Sequence, residues 1–182
     1  MPVVISMLRG VNLGNRRMKM ETLRGMYEAL KFEDVRTYVQ SGNVIFRTDQ
    51  RDENRLARQI EKAIENGFGF RSDVILRSGS EMREVLKENP FAERPGLDAS
   101  KLLITFLAKD PGKAAWDEVR QIKTDPEEVA IRAKELYIYF PVGMGRSKLP
   151  MRSFERALQV PGTGRNLRSV TKMLEIAETM EG

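Results

Sequence analysis

The side chains best suited to chemistry gather in two short segments. LRGVNLGNRR (8–17) puts three arginines, two asparagines and two glycines at the exit from an apolar run, and QSGN (40–43) adds Ser41, Gly42 and Asn43. One task suits these groups, which is to hold an anion. Arg9 would bring charge and forked donors, Asn12, Ser41 and Asn43 directed ones, while Gly10, Gly14 and Gly42 let backbone N–H groups come close. A strand handing over to a helix adds a helix N-terminus. The competing reading is plain turn chemistry, with Gly and Asn setting the loop and Arg9 paired to a carboxylate. Nucleotide-binding loops of the GxxxxGK[ST] and GxGxxG types are absent, although GMGRSK (143–148) begins like the second.

What is missing narrows the chemistry further. With no His and no Cys, the usual zinc, iron and copper ligand sets cannot be built. Histidine acid–base catalysis and Ser/His or Cys/His nucleophiles go with them. An oxygen-liganded magnesium stays open, but no carboxylate cluster marks it. No general base stands out, so binding is expected ahead of catalysis, and no cofactor can be named. Arg, Lys, Ser and Asn could still steady a transferred phosphoryl group by electrostatics alone.

The net charge of +5 is uneven. Residues 144–172 carry seven basic side chains, Lys148, Arg165 and Arg168 among them, against Glu155 alone, a local +6. That excess fits an anionic small molecule or nucleotide, or else a solvated basic helix face. An RNA-binding module is the alternative partner reading, because Tyr137 and Tyr139 share one face of a strand. The basic–Gly–aromatic signature of such modules is missing, and only 7% of residues are aromatic. A non-enzymatic scaffold or oligomerisation protein is the third reading, and the sequence fixes no oligomeric state. Hydrophobic content of 41% with 31% charged residues is ordinary for a globular chain. No apolar stretch reaches the roughly 18 residues of a membrane span. With no secretory leader and no Cys, the expected setting is the cytoplasm.

The elements that would position these loops follow from periodicity. VVISMLRG (3–10) reads as a buried strand, and Met20, Leu23, Met26, Tyr27 and Leu30 as a helical stripe. VRTYVQ (35–40) alternates as a half-buried strand with Val35, Thr37 and Val39 on one face. NVIFRT returns from it through the SGNV turn. Leu56, Ile60, Ala63 and Ile64 mark a second helix ending near the glycines of ENGFG, DVILRS (73–78) a fourth strand, and Ser80 the start of a short helix stopped before Pro90.

After the linker ERPGLDAS the order repeats: strand KLLITFLA, a helix with Trp116, Val119 and Ile122, and a hairpin EVAIRA/LYIYFP turning near Lys134–Glu135. Helices carrying Phe154 and Val170 follow, with GTGRNLRS between them as a loop or short strand. The expected fold is α+β: two tandem ferredoxin-like (βαββαβ-type) halves with antiparallel sheets, plus linking and C-terminal helices. Half 1 would span 1–78, the linking helix and linker 79–99, and half 2 100–182; an internal duplication is implied. In this topology the strand order is 4-1-3-2. The end of the first strand and the second-to-third hairpin then meet at one edge, so LRGVNLG and QSGN should converge on a polar pocket. Lys148, Arg165 and Arg168 are candidates to close its far side.

LRGVNLG, TYVQSGNVIF, NPF, GMGRSKL and RNLRSVTKM occur here in that order. Together they resemble a bacterial family of uncharacterised proteins, domain of unknown function 1697, over nearly the whole chain. The resemblance implies no reaction. It does imply that the polar loops form a site at the matching positions, Arg9, Gly10, Asn12, Gly14, Ser41, Gly42, Asn43, Ser147, Lys148, Arg165 and Asn166. The tail departs from the family pattern: Leu167 stands at its Trp, Gly164 at a Thr and Arg168 at an Asn.

Overall fold

Alternation of β-branched and apolar residues makes β1 (Val3–Leu8) a strand buried on both faces. The computed structural model describes residues 1–182. After β1 come α1 (Met20–Ala29), β2 (Glu33–Tyr38), β3 (Asn43–Arg47), α2 (Glu53–Phe68), β4 (Val74–Ser78) and α3 (Gly79–Lys87). The four strands form one sheet in the order β2-β3-β1-β4, each neighbouring pair antiparallel. Leu23 and Tyr27 of α1 and Leu56, Ile60 and Ile64 of α2 pack on Leu8, Val44, Phe46 and Leu76 of the sheet. Burying each such side chain contributes roughly 1.5–3 kcal/mol. The one hydroxyl on the α1 stripe is satisfied, Tyr27 Oη lying 2.7 Å from Ser6 Oγ. Asp52 caps α2 by accepting from Arg55 N at 3.0 Å, and Gly69 ends it at φ +79°.

The second series is β5 (Leu102–Leu107), α4 (Lys113–Arg120), β6 (Glu128–Arg132), β7 (Glu135–Tyr139), α5 (Met151–Leu158), β8 (Gly162–Asn166) and α6 (Leu167–Glu181). Its sheet runs β6-β7-β5-β8, again antiparallel. Its core gathers Leu107, Trp116, Val119, Leu136, Ile138, Phe140, Phe154 and Leu158. The chain is thus a mixed α and β fold with two four-stranded antiparallel sheets and six α-helices. No helix is long and apolar enough to cross a membrane.

Two compact units result, Met1–Glu84 with Lys172–Gly182, and Val85–Thr171. These limits differ from a linear division at 78 and 100, for identifiable reasons. Arg83 pairs with Glu178 at 3.6 Å and Glu181 at 3.0 Å, and Arg36 donates to Thr179 at 3.3 Å, which ties the end of α6 to the first unit. The second turn of α3 goes with the second unit, where Tyr137 donates its hydroxyl hydrogen to Val85 O at 2.7 Å.

Three local expectations are corrected and one open alternative is decided. Ser78, not Ser80, opens α3: its Oγ accepts from Glu81 N while Glu81 Oε2 accepts from Ser78 N, a reciprocal capping box. Val39 has left the strand and is exposed in a four-residue turn, Val39–Gly42. GTGRN, read from the sequence as a loop or short strand, is the five-residue strand β8. The second hairpin turns at Ala133–Lys134, one residue early, because Arg132 pairs with Glu135.

Candidate functional site

The topology brings the two polar segments together. Leu8 N donates to Gly42 O at 2.9 Å. Gly42, at φ +85°, lies so close that an added Cβ would sit 2.6 Å from Val11 Cγ2 and 3.0 Å from Leu8 Cβ. Only glycine fits there. Asn12, itself left-handed at φ +56°, spans the gap: its Nδ2 donates to Gln40 O at 2.7 Å and its Oδ1 accepts from Met18 N at 2.8 Å. Asn43 is fully buried and donates to Tyr38 O at 2.8 Å and to Ser41 Oγ at 2.9 Å. Both asparagines are therefore struts of the loops.

Arg16 is a third strut, one that residue type alone did not single out. Its Nε donates to Gly10 O at 2.9 Å, an Nη2 hydrogen goes to Arg71 O, and its guanidinium lies 4.7 Å from the centroid of the Phe70 ring. The Arg9 backbone is pinned as well, by Asp73 O at 3.0 Å and Ser72 Oγ at 2.8 Å. Its side chain is part-exposed. The guanidinium faces Asp73 Oδ2 at 3.7 Å with 41% of the side chain exposed, and such exposed pairs contribute only about 0–1 kcal/mol.

Exposed beside these struts are Arg17, Ser41 and the left-handed Gly14, with Arg9 part-exposed, together with two apolar side chains at the loop tips. Leu13 is 66% exposed and Val39 46% exposed. Val39 also holds φ +50°, a conformation that a β-branched residue adopts only under strain of about 1–3 kcal/mol. Asp73 continues into a neighbouring cleft of about 240 Å³ with Arg58, Glu61, Lys62, Glu65 and Arg71. There partial burial raises the Glu61 pKa, opposed by a hydrogen bond from Val74 N at 3.1 Å.

The remaining expected site residues belong to the second unit. Ser147 donates to Glu127 Oε1 at 2.5 Å and accepts from Leu149 N at 3.0 Å, while Lys148 is exposed. Asn166 caps α6 by accepting from Ser169 N at 2.9 Å. Arg165 is buried, bonded to Thr163 Oγ1 at 2.7 Å and Gly164 O at 2.9 Å, and burial lowers its pKa to about 10. A Cβ at Gly164 would stand 3.0 Å from Leu103 Cδ1, so glycine at this position makes room for that leucine. Leu167 is half-buried. The tyrosines that suggested a base-stacking platform are both buried. Tyr137 bonds Val85, and Tyr139 lies between Phe91, 6.0 Å away, and the Arg94 guanidinium, 4.4 Å away.

Similarity to known proteins bears on the fold alone. A solved structure described as that of conserved bacterial protein SP0830 from Streptococcus pneumoniae is similar, with a TM-score of 0.73 and 20% identity over 97% of this chain and 98% of that one. No curated protein matches the sequence. The model of a family described as a protein of unknown function (DUF1697) matches residues 1–137. That segment includes both polar loops and stops short of Ser147, Lys148, Arg165 and Asn166.

Proposed function

The chain belongs to the DUF1697 family of proteins of unknown function, and from that premise we propose that it binds a phosphate-bearing or other anionic small molecule where the 9–17 loop meets the 39–42 turn. One observation carries this reading. Asn12 ties the two loops together, Asn43 braces the turn and Arg16 holds the 9–17 loop against residues 70–71, and this frame leaves Arg17 and Ser41 exposed and Arg9 part-exposed beside the strained Val39. A braced frame that presents Arg9 and Arg17 beside the left-handed Gly14 suits an anion, and exposed Leu13 and Val39 offer contact to an apolar remainder of the ligand. Arg9, which pairs with Asp73 at the edge of this site, can also present its guanidinium fork to a phosphate, and a charge-assisted fork on a dianion is stronger than a part-exposed carboxylate pair. Binding without chemistry is the reading for this site, in a cytoplasmic setting.

We read the two halves as ferredoxin-like repeats of one ancestral unit. The ladders support it: Ile5 stands opposite Ile45 and Arg77, and Ile104 opposite Tyr137 and Arg165. Each half thus carries a buried arginine at the same ladder position, with an Nη1 donating to the preceding carbonyl, Leu76 at 2.8 Å and Gly164 at 2.9 Å.

The test is calorimetric titration with phosphate, pyrophosphate and a nucleoside diphosphate, on the wild type and on Arg9→Ala. The wild type should bind one of them, and the variant should lose that binding while its melting temperature barely moves. A variant that binds as well as the wild type, or a wild type indifferent to all three, would sink the reading.

A further inference from the structure

We infer that the outer edge of β6 is a self-association surface, on which a second copy of this chain adds its own β6 antiparallel across a twofold axis at Ala130. β6 pairs with β7 on one side only. The backbone direction is set by the neighbouring ladder: Leu107 N donates to Lys134 O and Phe140 N donates to Lys101 O, so even-numbered residues of β7 point at β5 and odd-numbered ones at β6. Glu128, Ala130 and Arg132, which stand opposite Tyr139, Tyr137 and Glu135, therefore bond inward. Val129 and Ile131 aim their N–H and C=O groups outward, and only the Ile131 carbonyl has a partner there, the Arg132 guanidinium at 2.7 Å.

This edge is short and charged at both ends, but it lacks the bulge or proline that would break its pairing. β2, the corresponding strand of the first sheet, breaks its register between Glu33 and Arg36, with Asp34 at φ +47°. β6 keeps a regular register through all five pairs, with neither bulge nor proline. Beside it lies a cleft of about 380 Å³ lined by Val119, Arg120, Ile122 and Thr124 together with residues 129–132 of β6.

The sequence EVAIR completes itself. Antiparallel pairing centred on Ala130 sets Val129 against Ile131 of the second copy, joining the outward groups in four main-chain hydrogen bonds. It sets Glu128 against Arg132, an opposite-charge pair on one face of the sheet. The apolar pairs fall on the other face, where each copy's Val129 and Ile131 reach the cleft of its mate. Glu128, already met by Arg94, keeps 45% of its side chain exposed for a second guanidinium. An isologous contact of this kind closes at two copies.

The absence of Cys from the chain makes the test direct. Residues facing each other in a non-hydrogen-bonded antiparallel pair have Cα atoms about 4.5 Å apart, within disulfide range. Ala130→Cys should therefore oxidise to a covalent dimer on a non-reducing gel, much faster than Lys62→Cys on α2. Sedimentation equilibrium of the unmodified chain should show a dimer at high micromolar concentration, weakened at least tenfold by Arg132→Glu, which sets two carboxylates face to face. Circular dichroism of each variant separates loss of pairing from loss of fold. A monomeric wild type, or an Ala130→Cys chain that cross-links no faster than Lys62→Cys, would overturn the inference. So would a monomer that instead takes up an extended peptide of alternating Val and Glu, which would assign the edge to a foreign strand.

Discussion

Alanine at Gly42 and alanine at Gly14 make the same chemical change in the same pair of loops, yet they should differ widely in cost. Both glycines are left-handed, at φ +85° and φ +57°, where a residue with a Cβ loses about 1–2 kcal/mol. At Gly14 nothing lies within 4 Å of the added carbon, so that is the whole effect. At Gly42 the carbon meets Val11 Cγ2 at 2.6 Å and Leu8 Cβ at 3.0 Å, and both neighbours are buried. Overpacking of that kind adds roughly 1–3 kcal/mol. The expected losses are about 1–2 kcal/mol for Gly14→Ala and about 2–5 kcal/mol for Gly42→Ala, read from urea midpoints by circular dichroism. Val11→Ala in the Gly42→Ala background should recover part of the loss, because it removes the carbon that clashes. Equal losses at the two glycines would refute the argument, since the only difference invoked is the approach of Val11 and Leu8.

Two further outcomes probe the interior and the cleft. Tyr27→Phe removes the 2.7 Å contact and leaves the fully buried Ser6 hydroxyl without it, so it should cost about 1–3 kcal/mol; adding Ser6→Ala should restore some of that in the same urea titration. Burial lifts the folded-state pKa of Glu61 above its unfolded value, so the folded chain keeps that proton to higher pH. Stability should fall as pH rises through the window between the two values, and a Glu61→Gln chain should show a flatter dependence of urea midpoint on mildly acidic pH. An unchanged slope would rule Glu61 out as its source.

Most elements were legible because their periodicity is local. The α1 and α2 stripes, the alternating strands and the Ser-Gly-Asn turn each announce themselves within a few residues. Features resting on distant partners did not. Arg16 looks like any basic loop residue until Phe70 and Arg71 arrive beneath it from 54 and 55 positions away. The end of α6 goes with the first unit through Arg36 and Arg83, which nothing in α6 itself foretells. Ser78 could have been chosen over Ser80, since only Ser78 has a glutamate three residues on. The convergence of the two loops followed from topology, but the division of labour within them did not. Asn12 and Asn43 are the same residue type as a ligand donor would be, and only their bonds to Met18, Gln40, Tyr38 and Ser41 mark them as struts.

The candidate site lies at the first hairpin because the connections there differ from those at the second. The ladders set Asn43 opposite Met7 and Glu135 opposite Phe106, so the two hairpins enter their turns at equivalent places. The first turn then runs through Val39–Gly42, where Gly42 admits the loop after β1. The second closes in Ala133–Lys134, and the segment from β5 to α4 is only 108–112, its glycine held by Asp110 Oδ1 at 2.8 Å. A connection that short can reach its helix but cannot fold back over a hairpin. The longer 9–19 connection can, and Asn12 and Arg16 hold it there, with Arg17 exposed and Arg9 part-exposed. The difference between the two hairpin ends therefore resides in loop length and in one glycine.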